Sequence, residues 1–584
     1  MFSDTLVIGH SFKKSELRSN AFYDSMLMHK SWFVRTLAGL LIGARSSADD
    51  AEAMPQMEVS RDYFNKFSGK LITSIRIAQA DIFGRSPDDD LSWIERCVDN
   101  LHIRTKERVI AQSLLFNVGD TISPYRMSIN EQLLRNKPYL STAYIVVLPD
   151  LNNPNGVSVN VFTRDNWTIS ANARLGDAPY LDVFDRNFIG SGNTLLLRYY
   201  APGGEQRHGF EAQYIIDNIW GTFINTTLQA GVGASNNSLG MSFERPFIMP
   251  SDHFGGGEAG YTENREGMTA ADTVFSVKTE KYAFYYGYSL NLDPLRGTNI
   301  YFTVGADYTH FSKRPDVEKY LNPYYYNRFR ILYSLGISRQ NYFQGNMIYG
   351  FGRTEDVAYG FKFELIGAYE SNEFLGKRFY VGGLGRWGQL TKSGFWNFTA
   401  SGGTFFTDRG RPQQSSFGAQ VNYFSPLWEL GSLYVRQFVN VSGTWGFNRL
   451  EGERERIGYQ SFAPIHGLRG SITSNGLTRA VVNSETVFFT PLFLYHFRFA
   501  FFTWCDVGWL GNNHNIFRNQ FAAAAGIGVR IKNERLIFNN VQIRIGFALQ
   551  RAPSMGYNWF EITNEQGLNI EPFIPQRPTI SPYQ

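Results

Sequence analysis

Phe497-Arg498-Phe499-Ala500-Phe501-Phe502-Thr503-Trp504-Cys505-Asp506-Val507-Gly508-Trp509 alternates with a period of two. Its odd positions, Phe497 to Trp509, are aromatic or aliphatic apart from Thr503 and Cys505, whereas the even ones include Arg498, Ala500, Asp506 and Gly508. Successive side chains of a strand point to opposite faces, so one face of this segment suits lipid and the other does not. The same alternation recurs far away in the chain. Val541, Ile543, Ile545, Phe547 and Leu549 interleave with Gln542, Arg544, Gly546, Ala548 and Gln550, and Ile300, Phe302, Val304, Ala306 and Tyr308 with Tyr301, Thr303, Gly305, Asp307 and Thr309. Tyr359, Phe361, Phe363 and Leu365 interleave with Gly360, Lys362, Glu364 and Ile366. A soluble sandwich also alternates, but its inner faces rarely set so many charged and glycine positions opposite an aromatic face. The pattern predicts a transmembrane antiparallel β-barrel.

Composition agrees with that expectation. Aromatic residues make up 16% of the 584-residue chain and glycine occurs 56 times, which suits interfacial girdles and closely packed, sharply curved strands. No apolar run reaches the ~18 residues a helical span requires. Fifty-six basic against 52 acidic residues leave a net charge of +4, so no nucleic-acid footprint emerges. Cys97 and Cys505 fall in different expected compartments, so neither a disulfide nor a cysteine-ligated zinc site is expected. Met1-Phe2-Ser3-Asp4 lacks the charged and apolar regions of a secretory signal, so the natural signal is expected to have been removed or never included. An internal candidate runs from Trp32 to Gly43 between Lys30 and Ala44-Arg45-Ser46-Ser47-Ala48; the competing reading is an amphipathic helix over Ala21 to Ile42.

Four regions are expected: an N-terminal helix and linker over 1–67, a small α+β domain over 68–164, a barrel over 165–563 and a tail over 564–584. The small domain reads βααββ. Its strands are Leu71 to Ile82, Tyr144 to Leu148 and Val157 to Thr163, the last two joined around Asn155-Gly156, a pair that tolerates positive φ. Its helices are Lys106 to Phe116, with Thr105 as N-cap, and one opening at Ser123-Pro124. The loop from Gly84 to Arg104, with Asp88-Asp89-Asp90, lacks the spacing of a calcium loop and reads as a solvated insertion. From Trp167 onward, about 420 residues at ~26 per strand and connection give about 16 strands, with glycine-rich pieces near Phe254 to Tyr261 and Asp272 to Lys281 ambiguous. The first strand is expected near Trp167 to Leu175 and the last near Tyr557 to Thr563.

A βααββ domain directly before a barrel resembles the outer-membrane insertase and translocase superfamily with POTRA domains and a surface-antigen-type barrel (BamA-, TamA- and FhaC-like). The resemblance runs over roughly 68–563 and is strongest in Leu101 to Thr168 and Ile465 to Ile531. Thr105 to Ile110, Leu114 to Asp120 and Leu134 to Leu140 look like a POTRA domain, and Asn187-Phe188-Ile189-Gly190-Ser191-Gly192 looks like the family's first barrel turn. The resemblance implies that Arg469-Gly470, within His466-Gly467-Leu468-Arg469-Gly470, folds back into the lumen. Its arginine would there meet Glu485 and Asp506 on the two following strands. The sequence departs at Ser471, where the family carries an aromatic, and after the last strand, where a tail continues to Gln584 as in relatives from the Bacteroidota. That tail either enters the lumen or projects into the periplasm.

What the resemblance implies is a protein of the bacterial outer membrane that inserts or translocates proteins, with its POTRA-like domain in the periplasm. Its partners would be unfolded outer-membrane or surface proteins, outer-membrane lipid, and accessory lipoproteins or barrel partners. A passive porin or receptor channel is the alternative, and it needs neither the small domain nor an inward arginine loop. Histidines such as His253, His310 and His496 stand in no hydrolase or protease spacing. With no phosphate loop, dinucleotide fingerprint or metal cluster in the sequence, no catalytic residue, cofactor or metal is expected.

Overall fold

In a computed structural model of the chain, the described residues are 60–80, 103–150, 153–174, 179–201, 208–233, 236–249, 252–268, 273–293, 297–348, 354–452, 455–458, 465–469, 475–494, 497–533, 541–551, 555–563, 570–581 and 583. The candidate signal and amphipathic helix, Cys97, the Asp88-Asp89-Asp90 triplet, Gly470 and Ser471 lie outside them.

The small domain contains α1 (Ser60–Asn65), β1 (Leu71–Ala80), α2 (Glu107–Gln112), α3 (Pro124–Arg135), β2 (Leu140–Asp150) and β3 (Asn153–Asp165). β3 is central, parallel to β1 and antiparallel to β2. Helix α1 falls in what the sequence suggested was linker. Tyr63, Phe64 and Phe67 supply an apolar face there, and Phe64 is buried in the domain core with Ile110, Met127, Leu134 and Ile145. Pro124 opens α3 as expected, but Thr105 does not cap α2. Its hydroxyl instead accepts from Asn187 Nδ2 at 3.0 Å, and its backbone N–H donates to Asp165 at 2.8 Å. The hairpin tip also moves: Asp150 pairs with Asn153, which places Asn155-Gly156 inside β3. Gly156 answers a close approach rather than a turn, since a Cβ there would lie 2.6 Å from Thr73 Cγ2.

The remaining strands begin with six short ones: β4 (Ile169–Arg174), β5 (Tyr180–Asp185), β6 (Thr194–Tyr200), β7 (Gly209–Ile216), β8 (Asn225–Gly233) and β9 (Asn236–Arg245). Longer ones follow: β10 (His253–Met268), β11 (Thr273–Asp293), β12 (Thr298–Lys313), β13 (Arg328–Asn346), β14 (Thr354–Asn372), β15 (Gly376–Thr391), β16 (Gly394–Thr407) and β17 (Pro412–Phe424). Then come β18 (Trp428–Leu430), β19 (Leu433–Phe447), β20 (Ile457–Gly458), β21 (Leu468–Arg469) and β22 (Asn475–Gly476). The chain ends with β23 (Thr478–Leu494), β24 (Phe497–Gly511), β25 (Gln520–Asn533), β26 (Val541–Gln550), β27 (Gly556–Tyr557) and β28 (Phe560–Thr563).

Apart from the small pairs β20–β22 and β21–β27, these strands follow one another in hydrogen-bonded order, and the order returns on itself with β28 beside β4. Because β17 and β18 lie end to end along β19, the described residues provide twenty strand positions rather than about 16. Short connections such as 373–375 and 392–393 explain the excess, and the two ambiguous glycine-rich pieces are β10 and β11. Strands such as β12, β14 and β24 alternate as expected, with apolar side chains outward: Leu365 is 70% exposed, whereas its neighbour Glu364 is 5% exposed.

The small domain docks on one end of this sheet. The Asn187 to Gly192 turn, the first connection on that side, joins β5 to β6, and Gly190 and Gly192 adopt positive φ where a Cβ would strike Arg104 O and Val109. Lys137 meets Asp217 at 2.6 Å, Arg135 meets Asp356 at 3.1 Å, and Asn218 Nδ2 donates to Gln112 O at 2.8 Å. Tyr139 reaches Asp217 as well, and burial, reinforced by that carboxylate, pushes its phenol well above the ordinary tyrosine range. Replacing both Asp217 and Asp356 by Ala should detach two of these ties. Hydrogen–deuterium exchange should then rise at least several-fold in α2 and α3 while the β11–β16 ladder stays protected; unchanged protection of both helices would mean that the ion pairs do not hold the domain.

Candidate functional site

Residues 465–469 run along the inner face of β23 and β24, and two devices hold them there. Gly467 has φ +74°, a left-handed backbone in which a Cβ would lie 2.6 Å from Asn558 O. Leu468 and Arg469 then pair with Tyr557 and Gly556, and Gly467 N donates to Glu561 at 3.1 Å. Ile465 and Leu468 are buried in the apolar cluster that also contains Trp504 and Leu510. The short stretch is thus clamped between β24 and the segment just before the last strand.

Asp506 is the polar centre of this contact. It is 1% exposed, and one carboxylate oxygen accepts from the His466 backbone N–H at 2.9 Å and lies 2.6 Å from His466 Nδ1. The other accepts from Asn483 Nδ2 at 2.9 Å, across the row that pairs Asn483 with Asp506. The His466 ring stands edge-on to Trp504 with centroids 5.5 Å apart.

Glu485, on the inner side of β23, has different partners. It is ion-paired with Arg530 of β25 and lies 3.6 Å from Arg544 of β26. Both guanidiniums sit over the Phe502 ring, at 5.0 and 5.5 Å from its centroid. Arg544 also donates to Gln542 at 3.1 Å. Two buried cations share one carboxylate and one aromatic face, which specifies a geometry more firmly than it adds stability.

Glu485 and Asp506 therefore both face inward, as the sequence suggested, but the described contacts give them separate partners. The backbone of Arg469 is placed by its pairing with Gly556, while the expected ion pair of its side chain lies outside the described residues. His466, Asn483, Arg530 and Arg544 were not foreseen as a group. His466 stood in the quoted motif and Arg544 in a quoted alternating segment, so their inward position was readable although their partners were not.

No family model matches the chain, and no curated protein matches it. Among solved structures it is similar to BamA from Haemophilus ducreyi lacking POTRA domains 1–3, with 11% identity and a TM-score of 0.41 over 84% of this chain and 83% of that one. It is also similar to CdiB from Acinetobacter baumannii, with 10% identity and a TM-score of 0.43 over 96% and 99% of the two chains. CdiB from Escherichia coli gives 10% identity and a TM-score of 0.44 over 85% and 75%. Likeness at that level says nothing about what the chain binds.

Removing the charge of Glu485 tests the shared-carboxylate arrangement. Glu485→Gln leaves Arg530 and Arg544 facing each other over Phe502, at a cost on the order of 3 kcal/mol. A lowered urea midpoint of the purified protein should report it, and Arg544→Gln in the same background should recover part of the loss. A midpoint that does not move would show that water already screens the cluster.

Proposed function

We propose that the chain is an outer-membrane protein that inserts or translocates other proteins, a transmembrane barrel with a POTRA-type domain on its periplasmic side. The observation that carries this reading is the closing pair of strands. Among the described residues, β28 has four residues and pairs with β26 through Gln542 to Ile545, while β4, its neighbour on the other side, has six. A ladder confined to these residues is cheap to open, and an opened edge offers backbone groups to a client strand. Outer-membrane lipid borders the apolar outer face, and unfolded outer-membrane or surface proteins are the clients, with accessory lipoproteins or barrel partners delivering them. The chain acts by binding rather than by catalysis.

The small domain supports a receiving role. Its β2 edge is blunted, because Glu131 accepts from Ile145 N at 3.3 Å and the Tyr63 hydroxyl accepts from Val147 N at 3.0 Å. At the other edge, β1 pairs only at Leu71 with Thr121 outside its contact with β3, among the described residues. That makes β1 the edge for strand addition. The loop held by Asp506 would set the interior shape that a client meets, with Arg469 at its tip as the residue that senses the chain.

Cysteines placed in pairs across β4 and β28, in a background with Cys97 and Cys505 replaced by Ser, should trap the seam when oxidised. The geometry allows a bridge where Cα atoms come within about 7 Å. Client insertion into outer-membrane vesicles should stop on oxidation and resume on reduction; a locked protein that still delivers clients at the normal rate would sink the lateral-gate reading. Arg469→Ala should reduce client delivery several-fold while leaving the amount of folded barrel within about twofold, as expected for loss of a partner that positions rather than supports. Equal loss of both would make the loop a structural strut.

A further inference from the structure

Residues 570–581 and Tyr583 lie against the inner face of the sheet, far in sequence from every strand they touch. None of 570–581 belongs to a helix or strand, yet Phe573, Pro575, Pro578 and Ser581 are buried. Pro572, Pro575 and Pro578 recur every third residue, which is the repeat of a left-handed polyproline helix. Pro575, Pro578 and Ser581, at that spacing, are buried, as is Phe573 beside Pro572. Prolines suit a buried extended segment because they present no N–H that would need a partner.

The wall is shaped to this segment. Arg386, 4% exposed, uses one guanidinium nitrogen on the Glu571 carboxylate and another on the Pro572 carbonyl, the latter at 2.6 Å. Phe573 N donates to Gln340 Oε1 at 2.6 Å, and Ser581 N donates to the Tyr380 hydroxyl at 2.9 Å. The two aromatic rings of the segment sit where the wall lacks side chains. A Cβ on Gly388 would lie 2.5 Å from Phe573 Cζ, and one on Gly446 would overlap the Tyr583 ring. Arg449 covers Tyr583 at 4.0 Å from the ring centroid, and Ile580 packs on the cluster of Leu332, Ile366 and Phe405.

We propose that this inner wall is a binding site for an extended, proline-rich peptide carrying an acid and two aromatic anchors, and that the chain fills it in cis with its own residues 570–583. Recognition is of an extended proline-rich segment by a surface with aromatic and arginine contacts, the mode by which proline-rich segments dock elsewhere. Occupancy by the tail is displaceable because it rests on side-chain contacts and single backbone hydrogen bonds, with no strand ladder to unzip. The site stands whether or not the protein delivers clients.

The test uses a fluorescent synthetic peptide of sequence 568–584 and fluorescence anisotropy on the purified protein in detergent. A chain ending at Asn569 should bind it saturably, whereas the full chain should bind it at least tenfold more weakly, since a tethered segment competes at an effective concentration in the millimolar range. A full-length Phe573→Ala, Tyr583→Ala variant, which keeps Glu571 beside Arg386, should show intermediate binding and serves if the shortened chain does not fold. A peptide of the same composition in scrambled order should bind neither protein, and Gly388→Leu in the shortened chain should abolish binding. Absence of peptide binding by both the shortened chain and the double variant, or equal binding of the scrambled peptide, would overturn the proposal and make the tail ordinary packing.

Discussion

A strand has only two faces, and in this chain the face turned away from solvent carries the charge. Lys362, Glu364, Glu370 and Arg378 are all buried, while Phe363, Leu365 and Phe379 between them point outward. A slip of one residue in any pairing would exchange the two sets, exposing the apolar row inside and stranding ions outside. The cost of that exchange fixes the register of every strand. Cross-strand ion pairs then refine it: Arg330 lies 2.9 Å from Asp307 across β12 and β13, and Arg378 is paired with Glu370 across β14 and β15.

The interior is built outward from those fixed rows. Three later stretches of chain settle on them: residues 465–469 on β23 and β24, the bridge at Gly556 and Tyr557 against those residues, and the tail on β13, β15 and β19. Two of them bring a group that a buried wall residue needs. Asp506 takes His466, and Arg386 takes Glu571. Buried ions of this kind contribute little net stability, but leaving one unpaired is expensive, so they discriminate between arrangements more than they strengthen any one.

Much of this was legible in sequence and some was not, for reasons of range. The alternation in Phe497 to Trp509 is a local property of one strand, and it correctly placed Asp506 inside and Cys505 outside. The partners of Glu485 are not local. Its own row runs through Trp504 to Gly526, yet it bonds Arg530 four positions farther along β25, an offset set by how the strands lean across one another. Strand number was misjudged because two- and three-residue connections leave almost no trace between alternating segments. The tail was read as having two possible destinations, since its proline repeat describes a shape and not the wall that receives it. The βααββ order of the small domain was recovered, but α1 was read as linker, and Thr105 and Gly156 were assigned cap and turn roles that tertiary contacts with Asp165, Asn187 and Thr73 took over.

The strands also differ in length around the sheet. β4 to β9 have 6 to 10 residues each, whereas β11 has 21 and β13 and β14 have 19. A tilted strand needs about 9 to 11 residues to cross hydrocarbon, so β5 to β7, with 6 to 8 among the described residues, fall short of a full bilayer thickness. Set in a membrane, this arc would draw the two leaflets together while the opposite arc stood proud of them. The thinned patch would lie beside β5 to β7. The hydrocarbon would there be thinner than beside β11 to β14, through a mismatch written into nothing more than strand length.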